Sequence, residues 1–146
     1  MRMMSFLPVA GVTVKLCLVG SAVSAQDLSG ELIFFHTPTG NIHCMIDQGE
    51  NPGVRCDLLQ VEPSFTDRPS DCDLDWGDSF WIGPEEASGS LVCHGDTVAD
   101  PSGAVLDYGL VARGGGVVCV SAKTGLTCQT AEGHGFFLSR KEQKVF

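Results

Sequence analysis

A mainly β fold, a small disulfide-linked antiparallel domain built from short hairpins with little helix apart from its leader, is what this sequence predicts. Three observations predict it. Six cysteines, Cys44, Cys56, Cys72, Cys93, Cys119 and Cys128, follow a hydrophobic N-terminal stretch that carries its own Cys17. An even set behind an export signal reads as a disulfide framework. All but Cys72 lie in short runs of apolar and β-branched residues bounded by Gly, Pro, Asn, Asp or Ser, the signature of short strands. Beyond the leader, no 11-residue window carries an apolar i, i+3, i+4, i+7 stripe, and Gly114-Gly115-Gly116 and six prolines break helices further.

Residues 1–25 read as a signal peptide. Arg2 supplies a positive start, an apolar stretch follows, and Val23-Ser24-Ala25 offers small residues before a cleavage between Ala25 and Gln26. Lys15 interrupts the apolar stretch, so no run of 18 apolar residues exists and a membrane span is disfavoured. Lys15 and Leu16 also make a poor lipid-attachment motif before Cys17. Residues 26–146 are then expected to be a single secreted β-rich domain, periplasmic or released to the medium.

Gln26 to Glu31 is a polar lead-in. Strand candidates follow at Leu32–Phe35, Ile42–Ile46, Val54–Leu58, Leu91–Cys93, Val117–Val120, Leu126–Cys128 and Gly135–Ser139, with long loops across 60–78 and 95–107. Ser139 to Lys144 is the best candidate for a single helical turn. Trp76, Phe80 and Trp81 read as an aromatic core element. Two segments echo each other: Thr39-Gly40 and Thr124-Gly125 each precede a cysteine-bearing strand, with Gly offering the positive φ of a hairpin turn.

Six cysteines allow 15 pairings, and sequence alone does not choose among them. Hairpin geometry narrows the field. If Ala122–Gly125 is the connection, Cys119 faces Cys128, and opposed residues about 4.5–5.5 Å apart suit a disulfide. Cys44 and Cys56 flank the Asp47–Gly53 turn region, which leaves Cys72 for Cys93. A Cys/His metal site is disfavoured, since there is no C-x-x-C and no histidine pair at i, i+3 or i+4.

Charge excludes some functions. The chain holds nine basic and 18 acidic residues. Losing the leader removes Arg2 and Lys15, leaving seven basic residues against the same 18 acids, a formal charge of −11. Such a domain repels phosphate backbones and anionic membranes, so no nucleic-acid role is expected.

Three constellations bear on chemistry. Asp71, Asp73, Asp75 and Asp78 gather carboxylates as hard-cation sites do, but Trp76 stands where an EF-hand needs Gly and Ile82 where it needs Glu. The plainer reading is a solvated acidic loop. His94 with Asp96, and His134 between glycines, are the candidates for proton transfer. No G-x-S-x-G elbow supplies a nucleophile, and the plainer reading makes them loop ties. His36 and His43 lie within strand candidates, facing solvent or a satisfied core.

Phe35 to Cys44 (FHTPTGNIHC), Leu91 to Val98 (LVCHGDTV) and Gly133 to Arg140 (GHGFFLSR), with Val54-Arg55-Cys56, Asp75-Trp76-Gly77 and Leu106-Asp107-Tyr108-Gly109 between, form an ordered set. The chain from 34 to 146 thereby resembles an uncharacterised family of small secreted bacterial proteins, with the patterns F-x-[ST]-P-[ST]-G-N-I-x-C and G-H-G-F-x-L-S-R. That resemblance implies export and a cysteine-linked fold. It implies no activity and brings no functional residues.

The function expected is a monomeric, non-catalytic binding or envelope-associated module with no cofactor and no identified partner. Such a module would carry a groove near the two His-Gly loops. The alternatives are a small hydrolase using His94 or His134, and a calcium-binding domain at Asp71–Asp78.

Overall fold

The computed structural model describes residues 30–146, so the expected signal peptide and the expected cleavage between Ala25 and Gln26 lie outside the described residues. Eleven strands and no helix occupy the described part. Five strands follow in sequence: β1 (Leu32–His36), β2 (Ile42–Asp47), β3 (Gly53–Leu58), β4 (Ser79–Ile82) and β5 (Ser90–Leu91). They form an antiparallel meander, and β6 (Ala104–Val105) crosses back to lie parallel to β1 at the sheet edge. A second antiparallel meander holds β7 (Val111–Gly114), β8 (Val117–Ala122), β9 (Gly125–Gln129), β10 (Gly135–Leu138) and β11 (Gln143–Val145).

Period-two alternation decides what each strand buries. In the first sheet Phe35, Cys44, Cys56 and Phe80 stand opposite one another across four strands and all turn inward. In the second, Val117, Cys119, Leu126, Cys128, Phe136 and Leu138 do the same, and both sets join one core. Phe80 and Phe136 meet across it, ring centroids 6.1 Å apart. The two inner faces share that core, so the sheets cover each other.

Three cysteine pairs stand at disulfide distance. The sulfurs of Cys44 and Cys56 are 2.04 Å apart, those of Cys72 and Cys93 2.08 Å, and those of Cys119 and Cys128 2.08 Å. Two of these pairs lie directly opposite on neighbouring strands within the core. Cys72–Cys93 instead ties the long 60–78 loop to the segment after β5, where Asp75 and His94 form an isolated antiparallel bridge.

Several elements differ from expectation. The tail is not a helical turn. Ser139 Oγ accepts a hydrogen bond from the Glu142 amide and closes a tight turn, and β11 then pairs with β10. Gln143, buried, fixes that choice: its Nε2 donates to Ser139 O and its Oε1 accepts from the Ser64 amide. Of the three aromatics at 76–81, only Phe80 is core. Trp81, one residue on, faces outward and donates to Glu86, and Trp76 is half-buried. His43 is buried, yet only Nε2 is satisfied, donating to the Gly40 carbonyl, while Nδ1 has no partner among the described residues.

The ends of the two sheets are finished differently. At one end Gly115 and Gly116, both at positive φ, make the two-residue β7–β8 turn. A Cβ on Gly115 would meet the Asp47 carbonyl and the Gly53 amide at 2.5 Å, so glycine lets this turn close against the β2–β3 turn backbone to backbone. The other end carries the Thr37–Asn41 and Lys123–Thr124 turns, which bear side chains.

Candidate functional site

Two polar regions emerge. The first lies on the outer face of the first sheet. Ser79, Asp57, His43 and His36 form a cross-strand row one residue out of phase with the core row. Asp57, fully enclosed, accepts five hydrogen bonds. Its Oδ1 takes Arg55 Nε at 3.0 Å and Ser79 Oγ at 2.6 Å, and its Oδ2 takes Arg55 Nη2 at 3.2 Å, Thr97 Oγ1 at 3.0 Å and the Val98 amide at 2.9 Å. A buried carboxylate is tolerable only when paired and bonded in this way. Arg55 reaches on to Asp96, with Nη1 donating to its Oδ1 at 3.0 Å and Nη2 to its carbonyl at 3.2 Å. The 94–98 loop is thereby lashed to strands β3 and β4.

His94 completes this cluster. Nδ1 bonds the Asp96 carbonyl at 2.6 Å and Nε2 bonds Asp78 Oδ1 at 2.8 Å. Both partners are acceptors, so the geometry suits a ring protonated at both nitrogens. Burial works against the imidazolium, but the bonds to Asp78 and the Asp96 carbonyl and the charges of Asp78 and Asp57 outweigh it, raising the His94 pKa above its ordinary value. The Arg55 guanidinium, through its hydrogen bond and then its charge, holds the Asp96 carboxyl below the usual carboxylate range.

His94 and Asp96 thus come together, though the imidazole meets the Asp96 main chain while the Asp96 carboxylate serves Arg55. His134 does not join them. It sits in the Thr130–His134 turn between β9 and β10 of the other sheet, where its amide donates to Thr130 Oγ1. Asp71, Asp73, Asp75 and Asp78 do not converge either, and among the described residues no three His, Cys, Asp or Glu side chains gather as a metal site requires. Asp78 is bound to His94, and Asp75 pairs with His94 through the main chain. No helix among the described residues is long and apolar enough to cross a membrane.

The second region is a cleft of about 440 Å³ at the open end of the two sheets. The β1–β2 turn forms one wall through Thr37, Thr39 and Asn41, and the β8–β9 turn forms the other through Lys123, Thr124 and Gly125. Leu59 and Gln60 after β3, Tyr108, and Ser139 with Arg140 after β10 close the sides. Gly125 is required here, because a Cβ would collide with the Leu138 carbonyl and press on the Phe137 ring. Asn41 braces one wall: its Nδ2 donates to Gln60 O at 3.0 Å and its Oδ1 accepts from Gln60 N at 2.8 Å.

Charge in the cleft runs against the rest of the molecule. Lys123 and Arg140 line it, and no acidic residue does. Among the described residues Lys123 enters no ion pair, and Arg140 has only Glu62 at 4.0 Å, both side chains largely exposed. Tyr108, also on the lining, is 41% exposed. The two His-Gly loops, where a groove was expected, contribute nothing to this lining. The β9–β10 turn holding His134 is one strand length from the β8–β9 turn, roughly 13 Å for five residues.

Sequence reasoning missed this site because Lys123 stood only in a hairpin connection, Tyr108 only in a recurring motif and Arg140 only in a motif and a candidate helical turn. The signal available was the echo of the two Thr-Gly turns. Each opens a cysteine-bearing inner strand, so in facing sheets both fall at the same end. The family of unknown function DUF6636 matches residues 14–146, and the chain belongs to that family. Neither a curated protein nor a solved structure matches the chain.

Proposed function

We propose that this member of the family is an exported, non-catalytic binding module of the periplasm, cell envelope or surrounding medium, and that its ligand occupies the cleft between the β1–β2 and β8–β9 turns. One observation carries this reading. The cleft gathers the Thr39 and Thr124 hydroxyls, the Gln60 side-chain amide, the exposed Tyr108 and two cations with little ion-pair engagement, in a volume within the roughly 300–1,000 Å³ common to small-molecule sites. The histidines that a hydrolase would use support the same reading by their placement. His94 has both nitrogens engaged, and His134 belongs to a different turn. Three cysteine pairs at disulfide distance suit an oxidising compartment outside the cytoplasm.

The test is a ligand screen on isotopically labelled processed protein, read by amide chemical shifts. Perturbations clustering on Thr37–Asn41, Tyr108 and Lys123–Gly125 are expected. Perturbations centred on His94 and Asp96, or turnover of any compound in the library that His94→Ala abolishes, would overturn the reading.

A further inference from the structure

We infer that the cleft takes a short carboxylate-bearing saccharide. The inference rests on the reading of the cleft as a ligand site and adds the chemical class. Three features of the lining each restrict the ligand, and they agree.

The first is sign. The chain carries a formal net charge of −9, yet the cleft lining holds Lys123 and Arg140 and no acid. A neutral ligand can accept hydrogen bonds from these cations but gains no ion-pair energy from them. A carboxylate gains a charge-assisted hydrogen bond from each, with the planar guanidinium able to grip both oxygens. The exposed Glu62 that stands 4.0 Å from Arg140 is a weak competitor, since exposed pairs at that separation contribute little.

The second is the ring. Tyr108 lines the cleft and is exposed, so its ring is accessible to a ligand there. A bare inorganic anion cannot use it, and the negative ring face repels one. A pyranose can, because its axial C–H bonds present weakly positive, apolar edges to the ring. The third is the complement of neutral polar groups. Thr39 and Thr124 carry hydroxyls that can both donate and accept, and Gln60 carries a side-chain amide with both functions, whereas the buried Thr37 hydroxyl and the Ser139 hydroxyl are already bonded within their own turns. Such two-way groups match ligand hydroxyls, whose direction also varies around the ring.

Length follows from the field. Screening confines the influence of Lys123 and Arg140 to about 8–10 Å at physiological salt. Beyond that range the acidic exterior faces any polyanion, so a few sugar units are favoured over a long polyuronate.

The experiment titrates labelled processed protein with three probes: a trimer of α-1,4-linked galacturonic acid, the same trimer methyl-esterified at every carboxylate, and inorganic phosphate. The acid should shift cleft amides and bind at least about tenfold more tightly than the ester, as expected for loss of a charge-assisted contact. Lys123→Gln with Arg140→Gln should erase that difference, and Tyr108→Ala should weaken acid and ester by the same factor. Equal binding of acid and ester would overturn the inference while leaving the cleft a binding site. So would phosphate that shifts the same amides and competes with the acid. Perturbation of the cleft by other library compounds with none from either trimer would also overturn the saccharide assignment alone. A cleft silent to the whole library would sink the underlying reading instead.

Discussion

The Arg55–Asp57–His94 cluster and the open-end cleft are built from similar residue types, but they end in opposite states. In the cluster every charged group is spent. Asp57 accepts five bonds, Arg55 grips two aspartates, and His94 has both ring nitrogens occupied. In the cleft Lys123 stands free of ion pairs among the described residues and Arg140 is barely engaged. The difference teaches that residue type alone does not tell a structural charge from an available one; what separates them is the bonding capacity left over after folding. Spent charges hold architecture together, and on the proposed reading the unspent ones face a ligand.

The sharpest way to break this contrast is to remove the centre of the cluster. Asp57→Ala takes from the half-buried Arg55 guanidinium its enclosed partner, leaving it only the exposed Asp96, and strips the Ser79 and Thr97 hydroxyls and the Val98 amide of their acceptor. A loss of about 3–5 kcal/mol is expected by urea denaturation. Cleft ligands should still bind the remaining folded protein, and a binding defect at temperatures where the variant stays folded would merge the two regions. Next in size is the Cys119–Cys128 link, whose partners are nine residues apart. Replacing both with serine should lower stability by roughly 2–3 kcal/mol on the chain-entropy account. The link clamps the β8–β9 hairpin whose turn forms one wall of the cleft, so its loss should disturb the cleft amides more than those of the Arg55–Asp57–His94 cluster on the other sheet.

Acidity sharpens the comparison more gently. The His94 pKa is raised in the fold, so its protonation stabilises the protein fully below the ordinary histidine value near 6.5 and the benefit is lost as pH climbs through the raised value. Urea midpoints should therefore fall as pH rises above about 6.5, with a slope of at most about 1.4 kcal/mol per pH unit. His94→Gln should flatten that part of the profile. A profile unchanged by this variant would mean His94 is not charged in the cluster. The smallest expected effect is the most telling. Lys123→Gln with Arg140→Gln should move stability by no more than about 0.5 kcal/mol, because neither cation supports the fold. A larger loss would show that these charges are already in use.

Much of the fold was legible in the residues. The opposition of Cys119 and Cys128 across a short connection follows from a turn signal of fixed length, and the register of β8 and β9 places them so. Short strands around Cys44 and Cys56 follow from β-branched neighbours and a Gly- and Pro-rich turn. Other elements were hidden because they depend on distant partners. The segment Gln143–Val145 has helix-tolerant polar composition, and it becomes a strand because Gln143 is captured by Ser64, 79 residues away. Val111–Gly114 carries a weak local signal and is a strand because β8 offers it an edge.

The candidate site was less legible, for a related reason. Asp57 looks like an ordinary strand residue, and only its opposition to Ser79 and His43 and the return of the 97–98 loop make it a buried hub. Sequence alone determined class, sign of charge and the strands of Cys44, Cys56, Cys119 and Cys128, all of which arise from local patterning and composition, whereas the strand expected through Cys93 stops at Leu91. Which charges would be neutralised and which left facing a cavity was decided only when two sheets closed on each other. Hydrogen-bond partners and cavity walls come from residues far apart in the chain, and local physics carries no information about who those neighbours are.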